Sequence, residues 1–386
     1  MELTSNPWSL ARGLSQVTLA YATSIICFRA LTLEVPRFDV GMWSASLACL
    51  AKCLAERKAT EPAYAWFSVG FSFAALWRIW KVFVDGPSPE IPLASGASFL
   101  VTGANTGVGF ETTRALHNAG AEVVYMLCRS KCRADSARAE ILRGSGREQS
   151  FIVVVQCDLC DRSSVDAAAD VVLDATLGDK APLKALVLNA GLFSQNLEQV
   201  QFAAAITAEK TLAANHLGHF QLVQRLWSRV APDGPHPARV VVVSSCVHMG
   251  LRDAEAALQD PHFTKHPESF STAVAYVRSK VFNLWFTVHL RSLQVDAVSL
   301  HPGNVRSEVT RGLPAFLRVM EVLAHPLMLV WRKSCAAGAR CQVYLALAEH
   351  PEALYYAHCQ PTATSSIAAD QDLAARAWKW SMKATV

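Results

Sequence analysis

Apolar positions along this 386-residue chain change their rhythm near residue 97. From there, short runs dense in β-branched and apolar residues recur: "ASFLVTG", "EVVYMLC", "FIVVVQCD", "KALVLNAG", "ARVVVVSS" and "VDAVSLHPG". They alternate with stretches of helical spacing such as 110–118 and 165–176. Runs that are apolar at every position belong to strands covered on both faces, and the helices between them supply the cover. The order βαβαβ, then more of the same, predicts an α/β domain built on a Rossmann-type doubly wound parallel sheet over residues 97–306. No internal repeat or low-complexity tract interrupts it.

Before residue 97 the rhythm is different. Three apolar runs, 13–28, 40–55 and 62–84, are each bounded by basic residues, and the chain from 85 to 96, "DGPSPEIPLASG", has the prolines of a linker. A bilayer span takes about 20 largely apolar residues, so 62–84 is the best span, with Arg78 and Lys81 snorkelling to one interface. The run 13–28 is a weaker span; it lacks the basic cluster and small-residue cleavage pattern of a signal peptide. Helices buried in a small extra domain are the alternative for all three. The predicted organisation is therefore an N-terminal hydrophobic, helical membrane-anchoring region over 1–90 and a linker over 91–96. The Rossmann-type domain then occupies 97–306, and a C-terminal helical region 307–386. Basic residues closing the third run belong on the cytoplasmic side, which puts the Rossmann-type domain in the cytosol, on the endoplasmic reticulum or another intracellular membrane.

Composition sharpens this picture. Hydrophobic residues make up 52% of the chain and the mean hydropathy is +0.21, a surplus that favours lipid contact. A net charge of +4 without any basic, aromatic-interleaved cluster gives a nucleic-acid partner no support. Eleven scattered cysteines read as reduced, apolar-packed thiols. Homo-oligomerisation is left open.

The candidate chemistry begins at "TGANTGVG", residues 102–109, a strand-to-helix turn with Gly103, Gly107 and Gly109. Such a turn lets the backbone approach a pyrophosphate while the helix N-terminus points its amides and positive dipole end at it. At the end of the second strand stands "LCRSK" with no carboxylate before Asp135. Arg129 there favours NADP(H) over NAD(H), because a guanidinium can hold the extra phosphate through two bonds. Asp158 is placed beside the adenine, or at a helix N-terminus as its cap. Cys128, Cys132, Cys157 and Cys160 are spaced so that two strands could bring them to a zinc ion; crowding of the adenine pocket argues against metal. In "YVRSK", Tyr276 and Lys280 lie four apart on one helical face, so an ammonium stands by a phenol and is expected to lower its pKa toward the working pH. Ser244 and Ser245 end a buried strand, where one hydroxyl can bond a substrate oxygen. Histidines 216, 219, 248 and 301 share no ligand geometry and are read as ordinary core or surface residues.

Together "TGANTGVG", Asp158, "NAG", "NHLGHF", Ser245, "YVRSK" and "HPGNVRS" resemble the short-chain dehydrogenase/reductase superfamily, and within it the membrane-attached branch of retinol dehydrogenases and WW-domain oxidoreductases. The resemblance implies that Tyr276 exchanges a proton with the substrate oxygen and Lys280 binds the nicotinamide ribose. It implies that Ser245, the second of its pair, polarises the carbonyl and Asn215 holds a water linking Lys280 to solvent. The implied cofactor site comprises Gly103, Asn105, Thr106, Gly107, Val108, Gly109, Arg129, Asp158, Asn189, Ala190, Gly191, Tyr276, Lys280, Pro302, Gly303 and Val305. Leu188 and Ser307 depart from the pattern, where asparagine and threonine are frequent. The resemblance implies that 97–306 is the catalytic domain and that 307–386 holds a substrate lid, whose apolar run 312–331 points to a greasy pocket or a surface resting on the bilayer, or else to an ordinary pair of amphipathic helices. The expected activity is hydride transfer between NADP(H) and a lipophilic alcohol or carbonyl compound: a retinoid, steroid, polyprenoid or fatty aldehyde. The alternative is a catalytically silent nucleotide-binding sensor or scaffold at a membrane.

Overall fold

The computed structural model describes residues 84–86, 88–145, 151–176, 181–234, 236–305, 332–349 and 351–385. The apolar runs before residue 84 and the run 312–331 lie outside the described residues, as do Arg306 and Ser307. Among the described residues, no helix is long and apolar enough to cross a membrane.

All six expected strands form: β1 (Ser98–Thr102), β2 (Val123–Cys128), β3 (Phe151–Gln156), β4 (Leu183–Leu188), β7 (Arg239–Val243) and β8 (Ala297–His301). A hairpin of β5 (Gln199–Ala203) and β6 (Ile206–Glu209) stands apart from the main sheet. The main sheet does not stop at residue 306. A short strand β9 (Tyr355–Ala357) adds in parallel to β8, with Ser299 opposite Tyr355, and β10 (Gln360–Pro361) closes the edge antiparallel to it. The order across the sheet is β3-β2-β1-β4-β7-β8-β9-β10. Strand order reverses between β1 and β4, and a crevice opens there at the carboxyl ends of the strands.

Alternate residues of the same strands feed two apolar layers, the reason the sequence shows unbroken runs. Phe99, Val101, Val124, Met126, Val241 and Val298 face one side. Leu116 from α1 (Gly107–Asn118), Ile141 from α2 (Lys131–Ser145) and Cys341 and Leu345 from the later helix at Cys335–Leu347 cover it. Leu100, Tyr125, Leu127, Leu186 and Val242 face the other. There, α3 (Arg162–Ala175) contributes Val165 and Val172, α4 (Gly218–Arg225) Phe220 and Val223, and α5 (Thr272–Ser292) Phe286 and Leu290. Helix α6 (Cys335–Leu347) is fixed to the crevice by Gln342, wholly buried, which accepts from Thr112 Oγ1 at 2.8 Å and donates to Asn189 Oδ1 at 2.9 Å. Trp378 of α7 (Gln371–Lys383) stacks on Phe286 at 5.9 Å.

Candidate active site

Every sequence-predicted site residue except Asn215 lines one cleft of about 750 Å³ at the switch point. Its far end is the glycine turn. Gly107 has φ +59°, the left-handed region open to glycine, and a Cβ there would meet no atom within 4 Å. Gly109 needs its hydrogen for a different reason: a Cβ would stand 2.3 Å from the Gly103 carbonyl oxygen. Helix α1 starts at this turn, and Thr106, its N-cap residue, makes no side-chain cap bond. By contrast α3, α5, α6 and α7 are capped by Asp161, Ser271, Ser334 and Asp370. The first-turn amides of α1 and its positive dipole end therefore face the cleft, and these residues fit the diphosphate of a dinucleotide.

Two exposed guanidiniums, Arg129 and Arg133, line the cleft beyond the second strand, and neither is ion-paired among the described residues. Arg133 was not anticipated. The signal was available, since it lies four residues after Arg129 in the first turn of α2. Lys131 instead pairs with Asp135 at 2.7 Å. Asp158 lines the cleft and accepts from the Cys160 amide at 3.0 Å. The cap of α3 is Asp161, which receives the Ser163 amide at 2.9 Å, so Asp158 is not that cap.

The four cysteines are free thiols. Burial pushes Cys128 up to about 11 and Cys157 and Cys160 up to about 12, while Cys132 is exposed. Among the described residues, no three His, Cys, Asp or Glu side chains form a metal-binding group.

At the near end, Ser245, Tyr276 and Lys280 converge with Pro302, Gly303 and Val305. The two serines separate by role. Ser244 Oγ is committed to the Lys280 carbonyl at 2.7 Å. Ser245 Oγ accepts the Val247 amide at 3.4 Å, which leaves its proton unspent among the described residues. His248 Nδ1 donates to the Ser245 carbonyl at 2.6 Å and steadies that backbone. Lys280, 3% exposed, donates to the Val243 carbonyl at 3.0 Å, with its ammonium 5.5 Å from the Tyr276 ring centroid. Phe193, unforeseen from sequence, packs on Tyr276 at 4.8 Å between ring centroids. Cys246, Val247 and Asn304 complete this end and carried no sequence signal.

One expectation fails in the protein by itself. Burial, with the Cys246 thiol adding to it, pushes Tyr276 up to about 12, and burial brings Lys280 down to about 8. Both shifts favour the neutral form, because removing a charge from water costs more here than the pair recovers across their separation.

Asn215 does not line the cleft; it sits behind it, wholly buried, in a π turn at Ala213–Leu217 just before α4. Its Oδ1 accepts from the Leu192 amide at 2.7 Å, and its Nδ2 donates to the Leu192 carbonyl at 3.1 Å and to Ser279 Oγ at 3.0 Å. Ser279 in turn donates to the Tyr276 carbonyl at 2.8 Å, so the turn and the helix carrying Tyr276 are held together.

A doubly wound sheet, a phosphate-facing helix terminus and a serine, tyrosine and lysine gathered at the strand ends define a Rossmann-type oxidoreductase of the kind that uses NAD(P)(H). The comparisons agree. A family profile described as short chain dehydrogenase matches residues 98–252. Mouse "Retinol dehydrogenase 12" is 33% identical over 311 residues, covering 77% of this chain and 89% of its own. Chicken "WW domain-containing oxidoreductase" is 32% identical, covering 74% and 67%. The solved "NADPH-Dependent 3-Quinuclidinone Reductase from Rhodotorula Rubra" has the same fold, with TM-score 0.50 and 18% identity over 70% of this chain and 96% of that one. The chain belongs to the short-chain dehydrogenase/reductase family.

Proposed function

We propose that this chain is a membrane-attached oxidoreductase passing a hydride between NADP(H) and the hydroxyl or carbonyl group of a lipophilic substrate. The observation that carries the reading is that Ser245, Tyr276 and Lys280 line the same cleft as the uncapped glycine turn. The amides of residues 107–109 bind the diphosphate, Arg129 with Arg133 holds the ribose 2′-phosphate, and Asp158 with Asn189, Ala190 and Gly191 lines the nucleoside. When bound, NADP(H) supplies the hydride, and in its oxidised form a positive charge beside the phenol. The Ser245 hydroxyl donates to the substrate oxygen and polarises the carbonyl. Tyr276 delivers or removes the proton at that oxygen, and Lys280 steadies the phenolate and the ribose hydroxyls. Asn215, behind Lys280, holds the turn from which a water can reach the ammonium.

The substrate class rests on the apolar run 312–331 and on the retinol dehydrogenases among the relatives. Membrane attachment rests on the apolar runs before residue 85. Membranes carrying the full chain are incubated with NADPH and retinal, steroid ketones and long-chain aldehydes. Turnover of at least one, abolished in Tyr276→Phe with NADPH binding retained, is the expected result. Absence of turnover on the whole panel rejects the reading, and a Tyr276→Phe protein as active as the parent rejects the residue assignment. Full release of the chain by alkaline carbonate rejects the membrane anchor.

A further inference from the structure

We infer that His219 is a positioning residue that ties the cofactor turn to the turn carrying Asn215, an inference that rests on the dehydrogenase reading of the site. His219 is 1% exposed and does not itself line the cleft, although it bonds Thr102, which does. Its Nδ1 lies 3.1 Å from the Asn215 carbonyl oxygen and its Nε2 2.8 Å from Thr102 Oγ1. A carbonyl only accepts, so Nδ1 carries the proton. Burial holds the ring neutral, with its pKa lowered to about 4. Nε2 is therefore an acceptor, and the Thr102 hydroxyl must donate to it. That hydroxyl oxygen also accepts the Ala190 amide at 2.9 Å.

The bonds form one directed chain: Ala190 N–H to Thr102, Thr102 O–H to His219, and His219 N–H to the Asn215 carbonyl. Its members come from three separate segments. Thr102 ends β1 and opens the glycine turn, Ala190 follows β4 in the cofactor cleft, and Asn215 sits in the π turn. A π turn is a rare backbone shape that needs support from its surroundings. Asn215 is held through its side chain by Leu192 and Ser279, and His219 holds its main chain. The segment 189–192 spans the same gap, with the Ala190 amide on Thr102 and the Leu192 amide on the Asn215 side chain, and His219 ties the two turns a second time through the Asn215 main chain. A neutral histidine is suited to the task because one rigid ring presents a donor and an acceptor at fixed separation.

Two amide variants divide the ring's work. In His219→Asn the amide nitrogen can take the place of Nδ1 and keep the bond to the Asn215 carbonyl, but nothing reaches Thr102. In His219→Gln the amide oxygen can take the place of Nε2 and accept from Thr102, and the bond to the Asn215 carbonyl goes. With the full chain in membranes and a carbonyl substrate it reduces, His219→Asn is expected to raise KM for NADPH about fivefold to tenfold, the effect of one lost hydrogen bond, with kcat little changed. His219→Gln is expected to lower kcat about fivefold to tenfold while KM for NADPH stays near that of the parent. Thr102→Val, which removes the hydroxyl at nearly constant volume and with it the bonds to both His219 and the Ala190 amide, is expected to raise KM for NADPH further than His219→Asn. NADPH affinity by fluorescence titration reads the Thr102 half even without turnover, so an inactive parent protein counts against the dehydrogenase reading and not against the tie. Variants that change only the melting temperature, or that lower kcat and raise KM alike in both amides, overturn the inference.

Discussion

Replacing Gly109 by alanine tests how closely the glycine turn is packed against the strand end behind it. The added methyl would stand 2.3 Å from the Gly103 carbonyl oxygen and 2.5 Å from Asn189 Nδ2. Carbon atoms in contact rest about 3.5 Å or more from their neighbours, so one side must move by about 1 Å. Asn189 cannot yield freely: it donates to the Thr102 carbonyl at 2.9 Å and accepts from Gln342 at 2.9 Å. Overpacking of this kind costs about 1–3 kcal/mol, and a strained or broken hydrogen bond about 1 kcal/mol more. The melting temperature of the cofactor-free protein should fall by roughly 3–6 °C. Gly107→Ala is the matched comparison. Its methyl meets nothing within 4 Å, and its cost is the φ of +59°, about 1–2 kcal/mol. Because Gly107 lines the cleft, that methyl occupies space a phosphate would use. Thermal melts of the detergent-solubilised full chain, paired with NADPH fluorescence titration, should show both variants losing NADPH and Gly109→Ala losing markedly more stability. A Gly109→Ala protein that melts with the parent, or a Gly107→Ala protein that binds NADPH undiminished, would refute the packing argument.

Two further outcomes follow from charges in the cleft. Burial lowers Lys280 from 10.5 to about 8, so the folded chain binds this proton more weakly than the unfolded chain. The resulting destabilisation is fully present below about pH 8 and fades as pH rises through 10.5. Lys280→Met should therefore stabilise the cofactor-free protein at pH 7, by up to roughly 3 kcal/mol, with a gain that shrinks toward pH 10 and with turnover lost. A gain that is the same at both pH values in thermal melts would contradict this. Arg129→Ala combined with Arg133→Ala should lower kcat/KM for NADPH about tenfold to a hundredfold and leave NADH unchanged, because only the former carries the 2′-phosphate that these guanidiniums hold on the proposed function. Equal losses with both cofactors would remove that role.

What could be read from the sequence follows a physical divide between local and long-range pattern. Six strands are legible because each is buried on both faces, so its residues are apolar without interruption; "ARVVVVSS" became β7 with all five residues buried. The strand β9 was hidden because Tyr355–Ala357 is three residues long and owes its place to pairing with β8, a partner more than fifty residues earlier. Among the residues lining the cleft, the glycine turn and the Tyr276–Lys280 pair are legible because each is a motif of fixed local spacing, and Arg133 stands four residues after Arg129 by the same helical rule. Phe193 is not legible, since nothing in its neighbourhood announces that its ring will lie against Tyr276. Ser245 is distinguished from Ser244 by bonds that no spacing encodes: Ser244 is held by the Lys280 carbonyl.

The protonation of the acid–base pair is the part that spacing misstates, and the reason bears on how the site works. Four residues along a helix guarantee that Lys280 and Tyr276 share a face, but not that their interaction exceeds what each loses by leaving water. With the ammonium 5.5 Å from the ring centroid and both groups buried, desolvation dominates. The phenol is held near 12 and the amine near 8, so the protein alone stores the proton on Tyr276. Such a phenol is a poor base at neutral pH. A positive charge arriving in the cleft favours phenolate and opposes the burial effect. On the proposed function that charge is the oxidised nicotinamide, present only when there is a hydride to accept. Basicity at Tyr276 would then be coupled to the loaded state of the cleft, and on that reading the Tyr-x-x-x-Lys pair would need the cofactor to complete it as a base.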